Sequence, residues 1–157
     1  MEAVIFIGIQ GSGKTSFYRE HFLDTHIRIS LDMLRSRERE RLIFEACLQA
    51  RQPLVVDNTN PLAKDRERYV GPARAAGFRV VGYFFETSLR DAIRRNNQRP
   101  GKKKIPVAGI ASAFRKLEAP TLEEGFDALH AVSLSPENRF IIGGQAMGQK
   151  PRKRSEV

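Results

Sequence analysis

Apolar residues along this chain come in short blocks, separated by stretches in which they return every three or four positions. Ala3–Ile7 is an unbroken apolar run and predicts a strand buried on both faces. Lys14–Leu23 follows with helical spacing, and the alternating His26–Ser30 predicts a short second strand. Met33–Arg51 predicts one helix, with Ile43, Ala46, Cys47 and Ala50 on a shared face. The apolar triplet of "PLVVDN" predicts a third strand, after which Asn60-Pro61 turns the chain. Leu62–Ala76 predicts a helix closed by Gly77, and Phe78–Phe85 a fourth strand. Two more helices, Ser88–Asn97 and Val107–Leu117, flank the basic, loop-like "QRPGKKKIP". Thr121–Glu124 has capping-box spacing and predicts a short turn ended by Gly125. Asp127–Leu134 and Arg139–Ile142, joined by Ser-Pro-Glu-Asn, predict a closing hairpin. Strands alternating with helices predict an α/β domain, a central parallel β-sheet flanked by helices on both faces. The expected organisation is one domain over 1–142, then a basic, disordered tail over 143–157.

Composition narrows the class. With 157 residues, 41% hydrophobic and 29% charged, the chain has the make-up of a globular domain with a proper core. No apolar run reaches membrane-span length and no signal peptide is visible, so the expectation is a cytoplasmic protein without membrane partners. A single cysteine, Cys47, fits a reducing compartment and a core position. Net charge is +9, and without the last ten residues 23 basic side chains still face 17 acidic ones. A basic body of that kind suits polyanionic partners.

The sharpest chemical signal is Gly8-Ile9-Gln10-Gly11-Ser12-Gly13-Lys14-Thr15, which fits G-x-x-x-x-G-K-[ST] between a strand and a helix. Glycines at Gly11 and Gly13, with Ser12 between them, let backbone N–H groups turn inward onto phosphate oxygens. Lys14 would neutralise the β/γ-phosphates and Thr15 would ligate Mg²⁺. Asp32, just past the second strand, suits a helix N-cap or a base that accepts a hydroxyl proton. Asp57, at the end of the third strand, suits a turn cap, a partner for a metal-bound water or a substrate contact. Arg94, Arg95 and Arg99, with Lys102–Lys104, form either a solvated charged face or a phosphate-covering lid. Of the arginines in "RSRERER", Arg35 lies nearest Asp32, and the three histidines lack metal-ligand spacing.

Several stretches occur in one order: "DNTNP" (Asp57–Pro61), "RERYV", "ARAAG", "RRNNQR" (Arg94–Arg99), "IP" and "EAPTLEEGF" (Glu118–Phe126). With the phosphate loop, they make residues 3 to about 134 resemble the 5′-hydroxyl polynucleotide kinase family. The likeness is nearest to the kinase domain of the animal polynucleotide kinase/phosphatase repair enzymes. The resemblance implies a P-loop kinase fold, ATP with Mg²⁺ as donor, and the 5′-OH end of DNA or RNA as acceptor. By position it makes Lys14 and Thr15 the donor and metal contacts and Asp32 the general base. It also makes Arg99 the catalytic lid arginine, Arg95 a donor contact, and Arg35 and Asp57 acceptor contacts. Arg35 matches an arginine of the phage-type enzymes that the animal ones lack. Where the family often has Asn-Arg before the base aspartate, this chain has Ser30-Leu31. Two other functions suit the same residues: a P-loop kinase of a small hydroxyl compound or nucleotide, and a nucleic-acid-binding ATPase module.

Overall fold

The computed structural model describes residues 1–101 and 104–143; Lys102, Lys103 and the expected tail from 144 to 157 lie outside them. The described chain builds one six-stranded sheet. Its strands are β1 (Glu2–Ile7), β2 (Ile27–Ile29), β3 (Leu54–Val56), β4 (Arg79–Phe85), β5 (Ala128–Leu134) and β6 (Phe140–Gly143). They lie in the order β2-β3-β1-β4-β5-β6. The first five run parallel, and only β6 pairs antiparallel, with β5, as the closing hairpin. β6 extends to Gly143, one residue past the expected boundary of the folded domain.

Alternate side chains of the buried strands feed two separate cores, as the period of two requires. Ala3, Ile5, Ile7, Leu54 and Val56 point to one face. There α3 (Arg37–Ala50) and α4 (Ala63–Ala75) cover them through Phe44, Cys47, Tyr69 and Ala73. Val4, Phe6, Val55 and Val81 point to the other face, under Phe17, Tyr18 and Phe22 of α1 (Lys14–His21) and the residue that follows it. Phe6 and Phe17 meet edge to face with ring centroids 5.8 Å apart. A third, smaller cluster of Ile9, Ala92 and Ile110 seats α5 (Leu89–Asn97) and α6 (Val107–Lys116) beside the phosphate loop.

One expected element is divided. The helix expected over Met33–Arg51 is two: α2 (Leu31–Leu34) and α3. Arg35 adopts the left-handed conformation (φ 67°), and Ser36 starts α3 afresh by accepting a hydrogen bond from the Arg39 N–H at 3.1 Å. The break bends the chain so that α2 stands at the C-terminal end of the sheet while α3 packs on its face. Asp32 and Arg35 therefore sit on a short, separate element.

Candidate active site

β1 ends in the phosphate loop, and the loop ends in α1, so the first-turn N–H groups of α1 open onto the C-terminal edge of the sheet. No side chain caps that helix; Gly13 occupies the cap position in the left-handed region (φ 94°). The uncapped donors and the helix dipole favour an anion there. Gly11 is also left-handed (φ 78°), and a β-carbon on it would come within 2.6 Å of the Ala92 carbonyl oxygen. Only glycine lets α5 pack that closely. Arg95 braces the loop from outside: its Nη1 donates to the Gly11 carbonyl and to Thr87 Oγ1, both at 3.2 Å.

Lys14 is 9% exposed, and its ammonium is wrapped by its own loop. Nζ donates to the carbonyls of Gly8 at 2.9 Å and Ile9 at 2.8 Å, and to Ser12 Oγ at 3.4 Å. Burial pushes its pKa from 10.5 down to about 8; Asp57 and Asp32 act to raise it and Arg99 to lower it. Beside it, Thr15 Oγ1 donates to Asp57 Oδ2 at 3.0 Å. The same carboxylate oxygen accepts from Arg28 Nε at 2.8 Å, and Arg28 Nη2 reaches Thr15 Oγ1 at 3.3 Å.

"DNTNP" stitches the sheet end to the loop, residue by residue. Asp57 bonds Thr15. Asn58 Oδ1 accepts from the Leu31 N–H at 2.9 Å, fixing the start of α2, while its Nδ2 donates to Glu40 Oε2 at 2.8 Å. Glu40 is 2% exposed and is held by the Tyr69 hydroxyl at 2.7 Å and by Arg37 Nη1 at 3.0 Å. The Thr59 carbonyl accepts from the Gly8 N–H at 3.0 Å. Asn60, left-handed at φ 45°, donates from Nδ2 to the Phe6 carbonyl at 2.8 Å. Pro61 accepts from the Glu118 N–H at 2.7 Å. The "EAPTLEEGF" stretch continues this scaffold. Arg66, fully buried, makes a two-pronged pair with Glu124 (2.6 and 3.1 Å) and donates to the carbonyls of Asn60 and Glu118. That stretch is structural: it locks the turn after β3.

An open cleft of about 930 Å³ lies over these elements. Of the residues expected from sequence, it brings together Gly11, Gly13, Lys14, Thr15, Asp32, Arg35, Asp57 and Arg99. Asp32 is exposed on α2 and Arg35 is exposed at its end. Asp57 spends its bonds on Thr15 and Arg28, on the donor side of the cleft, and makes none with Asp32 or Arg35. Arg95 does not line the cleft but supports the loop, and Arg94 is exposed beside Asp91. Arg99 follows α5, whose buried Asn96 binds the Ile105 backbone. Asn96 Nδ2 donates to the Ile105 carbonyl at 2.6 Å, and its Oδ1 accepts from the Ile105 N–H at 2.8 Å.

Arg28, Asn58 and Glu40 were not singled out in the sequence. A charged residue inside a three-residue parallel strand was the available signal for Arg28. Among the described residues no group of three or more histidine, cysteine or acidic side chains is placed to hold a metal, and no helix is long and apolar enough to cross a membrane.

A family model for the AAA domain matches residues 35–120. The chain is 24% identical over 136 residues to the bifunctional polynucleotide phosphatase/kinase of Schizosaccharomyces pombe, covering 83% of this chain and 33% of that protein. It is 30% identical over 139 residues to a protein of Acanthamoeba polyphaga mimivirus provisionally given the same name, covering 84% and 33%. It thus spans about a third of the length of these curated relatives. A gluconokinase from Sinorhizobium meliloti shares the fold with a TM-score of 0.61 at 20% identity, over 84% of this chain and 82% of that one. The phosphate loop, the mainly parallel sheet and these likenesses describe one α/β P-loop kinase fold and a nucleotide-binding enzyme. The chain belongs to the AAA domain family, and its curated relatives are polynucleotide phosphatase/kinases.

Proposed function

We propose that this protein transfers the γ-phosphate of ATP to the 5′-OH end of a nucleic acid. The observation that carries the reading is the convergence of a preformed phosphate loop and an exposed carboxylate, Asp32, on one basic cleft. Among the described residues, Lys14, Arg19, Arg28, Arg35 and Arg99 line it against Asp32 and Asp57. That excess suits two polyanions, a triphosphate on one side and a phosphodiester on the other.

The loop N–H groups and Lys14 would bind the donor phosphates. Thr15 Oγ1 and Asp57 Oδ2, hard oxygens next to the phosphate loop, would hold Mg²⁺. When bound, Mg²⁺ neutralises charge on the β- and γ-phosphate oxygens. Asp32 accepts the proton of the attacking hydroxyl. Asn58 and Glu40 act behind it as positioning residues, because they hold the first N–H of α2. Arg35 anchors the acceptor phosphate, and Arg99 covers the charge developing on the migrating group. The likeness to polynucleotide phosphatase/kinases supports a polynucleotide acceptor. Transfer of labelled γ-phosphate to 5′-OH oligonucleotides, nucleosides, nucleotides and gluconate tests it. Preferential labelling of the oligonucleotides is expected; equal or better labelling of a small alcohol overturns the acceptor and leaves the kinase.

A further inference from the structure

Arg28 lies in the middle of β2, opposite Val55 of β3, on the sheet face that α1 covers. Its side chain runs up that face into the cleft and closes a triangle with two groups already described. Nε donates to Asp57 Oδ2 at 2.8 Å, Nη2 to Thr15 Oγ1 at 3.3 Å, and Thr15 Oγ1 to the same Oδ2 at 3.0 Å. The Asp57 side chain is 2% exposed, so a buried carboxylate has this guanidinium as its ion-pair partner. The Arg28 side chain is 25% exposed and lines the cleft.

The two oxygens that Arg28 bridges are the two that the kinase reading gives to a divalent cation. Both would place positive charge on the same two groups. Arg28 takes one of the two lone pairs of Thr15 Oγ1, whose hydrogen goes to Asp57. A doubly charged ion beside a guanidinium at hydrogen-bond distance is also strongly repelled in a partly buried site. We infer that Arg28 is a metal-exchanged cation: it holds the Thr15–Asp57 pair while no metal is bound and gives that pair up when a divalent cation arrives. The inference rests on the phosphoryl-transfer reading for the metal's position, not on the identity of the acceptor.

Two consequences follow. Metal binding without nucleotide is weak, because it must displace a charge-assisted contact. Nucleotide and metal bind cooperatively, because the triphosphate gives the released guanidinium, with its planar set of donors, new oxygens to hold.

Mn²⁺ titration of the full chain, with free and bound ion separated by electron paramagnetic resonance, tests this. Without nucleotide, Arg28→Gln is expected to bind Mn²⁺ about tenfold more tightly than wild type, and Arg28→Lys to fall between them. With ADP present the gap should narrow. Equal or weaker binding by Arg28→Gln overturns the inference and makes Arg28 an organiser of Asp57. Wild-type protein that binds no Mn²⁺ even with ADP overturns the metal assignment itself. A wild-type measurement guards against a variant that folds poorly. The Arg28 Nε–H resonance, assigned by its loss in Arg28→Lys, should shift on saturation with Mg²⁺ and ADP. An unmoved resonance in the metal-loaded protein contradicts the exchange.

Discussion

The two sides of the cleft are built differently. On the donor side four side chains are already engaged: the Lys14 ammonium sits on loop carbonyls, and Thr15, Asp57 and Arg28 bond one another. On the acceptor side Asp32 and Arg35 are exposed, on a four-residue helix that ends in a left-handed arginine. On the donor side a triphosphate would take the place of contacts that the Lys14 ammonium now makes within the loop. The acceptor side is held at its root, through Asn58 and Glu40, and left open at its tip. A generic donor can be met by a rigid, backbone-made cradle. In the proposed reaction the choice of acceptor falls to a few side chains on a four-residue helix.

The variant that most sharply separates the two sides is Asp32→Asn, which keeps size but cannot take the hydroxyl proton. A fall in kcat of about 10²–10⁴ is expected, with ATP affinity little changed in a direct binding measurement. If ATP binding collapses as well, the two sides are not independent. Lys14→Ala should act on the donor side, lowering phosphoryl transfer about 10²–10³-fold while leaving acceptor binding intact. Glu124→Gln strikes the scaffold beneath both. It leaves buried Arg66 without its carboxylate, so urea unfolding should show a loss of about 3 kcal/mol, while the folded fraction keeps near-normal turnover. The smallest effect is in protons. Because the Lys14 pKa is lowered to about 8, the native protein binds fewer protons than the unfolded chain between about pH 8 and 10.5, and stability rises with pH across that window. Bound phosphate favours the charged ammonium. Calorimetry of ADP binding at pH 8 in buffers of different ionisation enthalpy should therefore show uptake of up to about half a proton, lost in Lys14→Met.

The donor side was legible in the sequence because glycine, lysine and threonine at fixed spacing leave the backbone few alternatives. The sheet was legible for a related reason: its buried strands are continuous apolar runs. The acceptor side was less so. Arg35–Arg41 is an unbroken polar run with no apolar period of its own, so nothing in it marks a left-handed arginine followed by a serine cap. Arg28 and Glu40 look like surface charges in a one-dimensional pattern. Their burial depends on partners 29 residues away in each case, Asp57 and Tyr69. "EAPTLEEGF" stood out by resemblance and by its capping-box spacing, and in the structure Glu124 within it also holds Arg66.

The central claim is that the acceptor side selects a hydroxyl with a phosphate on its 3′ side, and that Arg35 is the reader. The direct measurement is kcat/KM for adenosine, adenosine 3′-phosphate and a 5′-OH tetranucleotide, in wild type and in Arg35→Gln. Wild type should prefer the 3′-phosphate to adenosine by about tenfold to a hundredfold, the range expected of one charge-assisted contact, and the tetranucleotide more still. Arg35→Gln should erase most of that preference with little change toward adenosine. Equal use of adenosine and its 3′-phosphate by wild type, or a preference that survives intact in Arg35→Gln, would contradict the account.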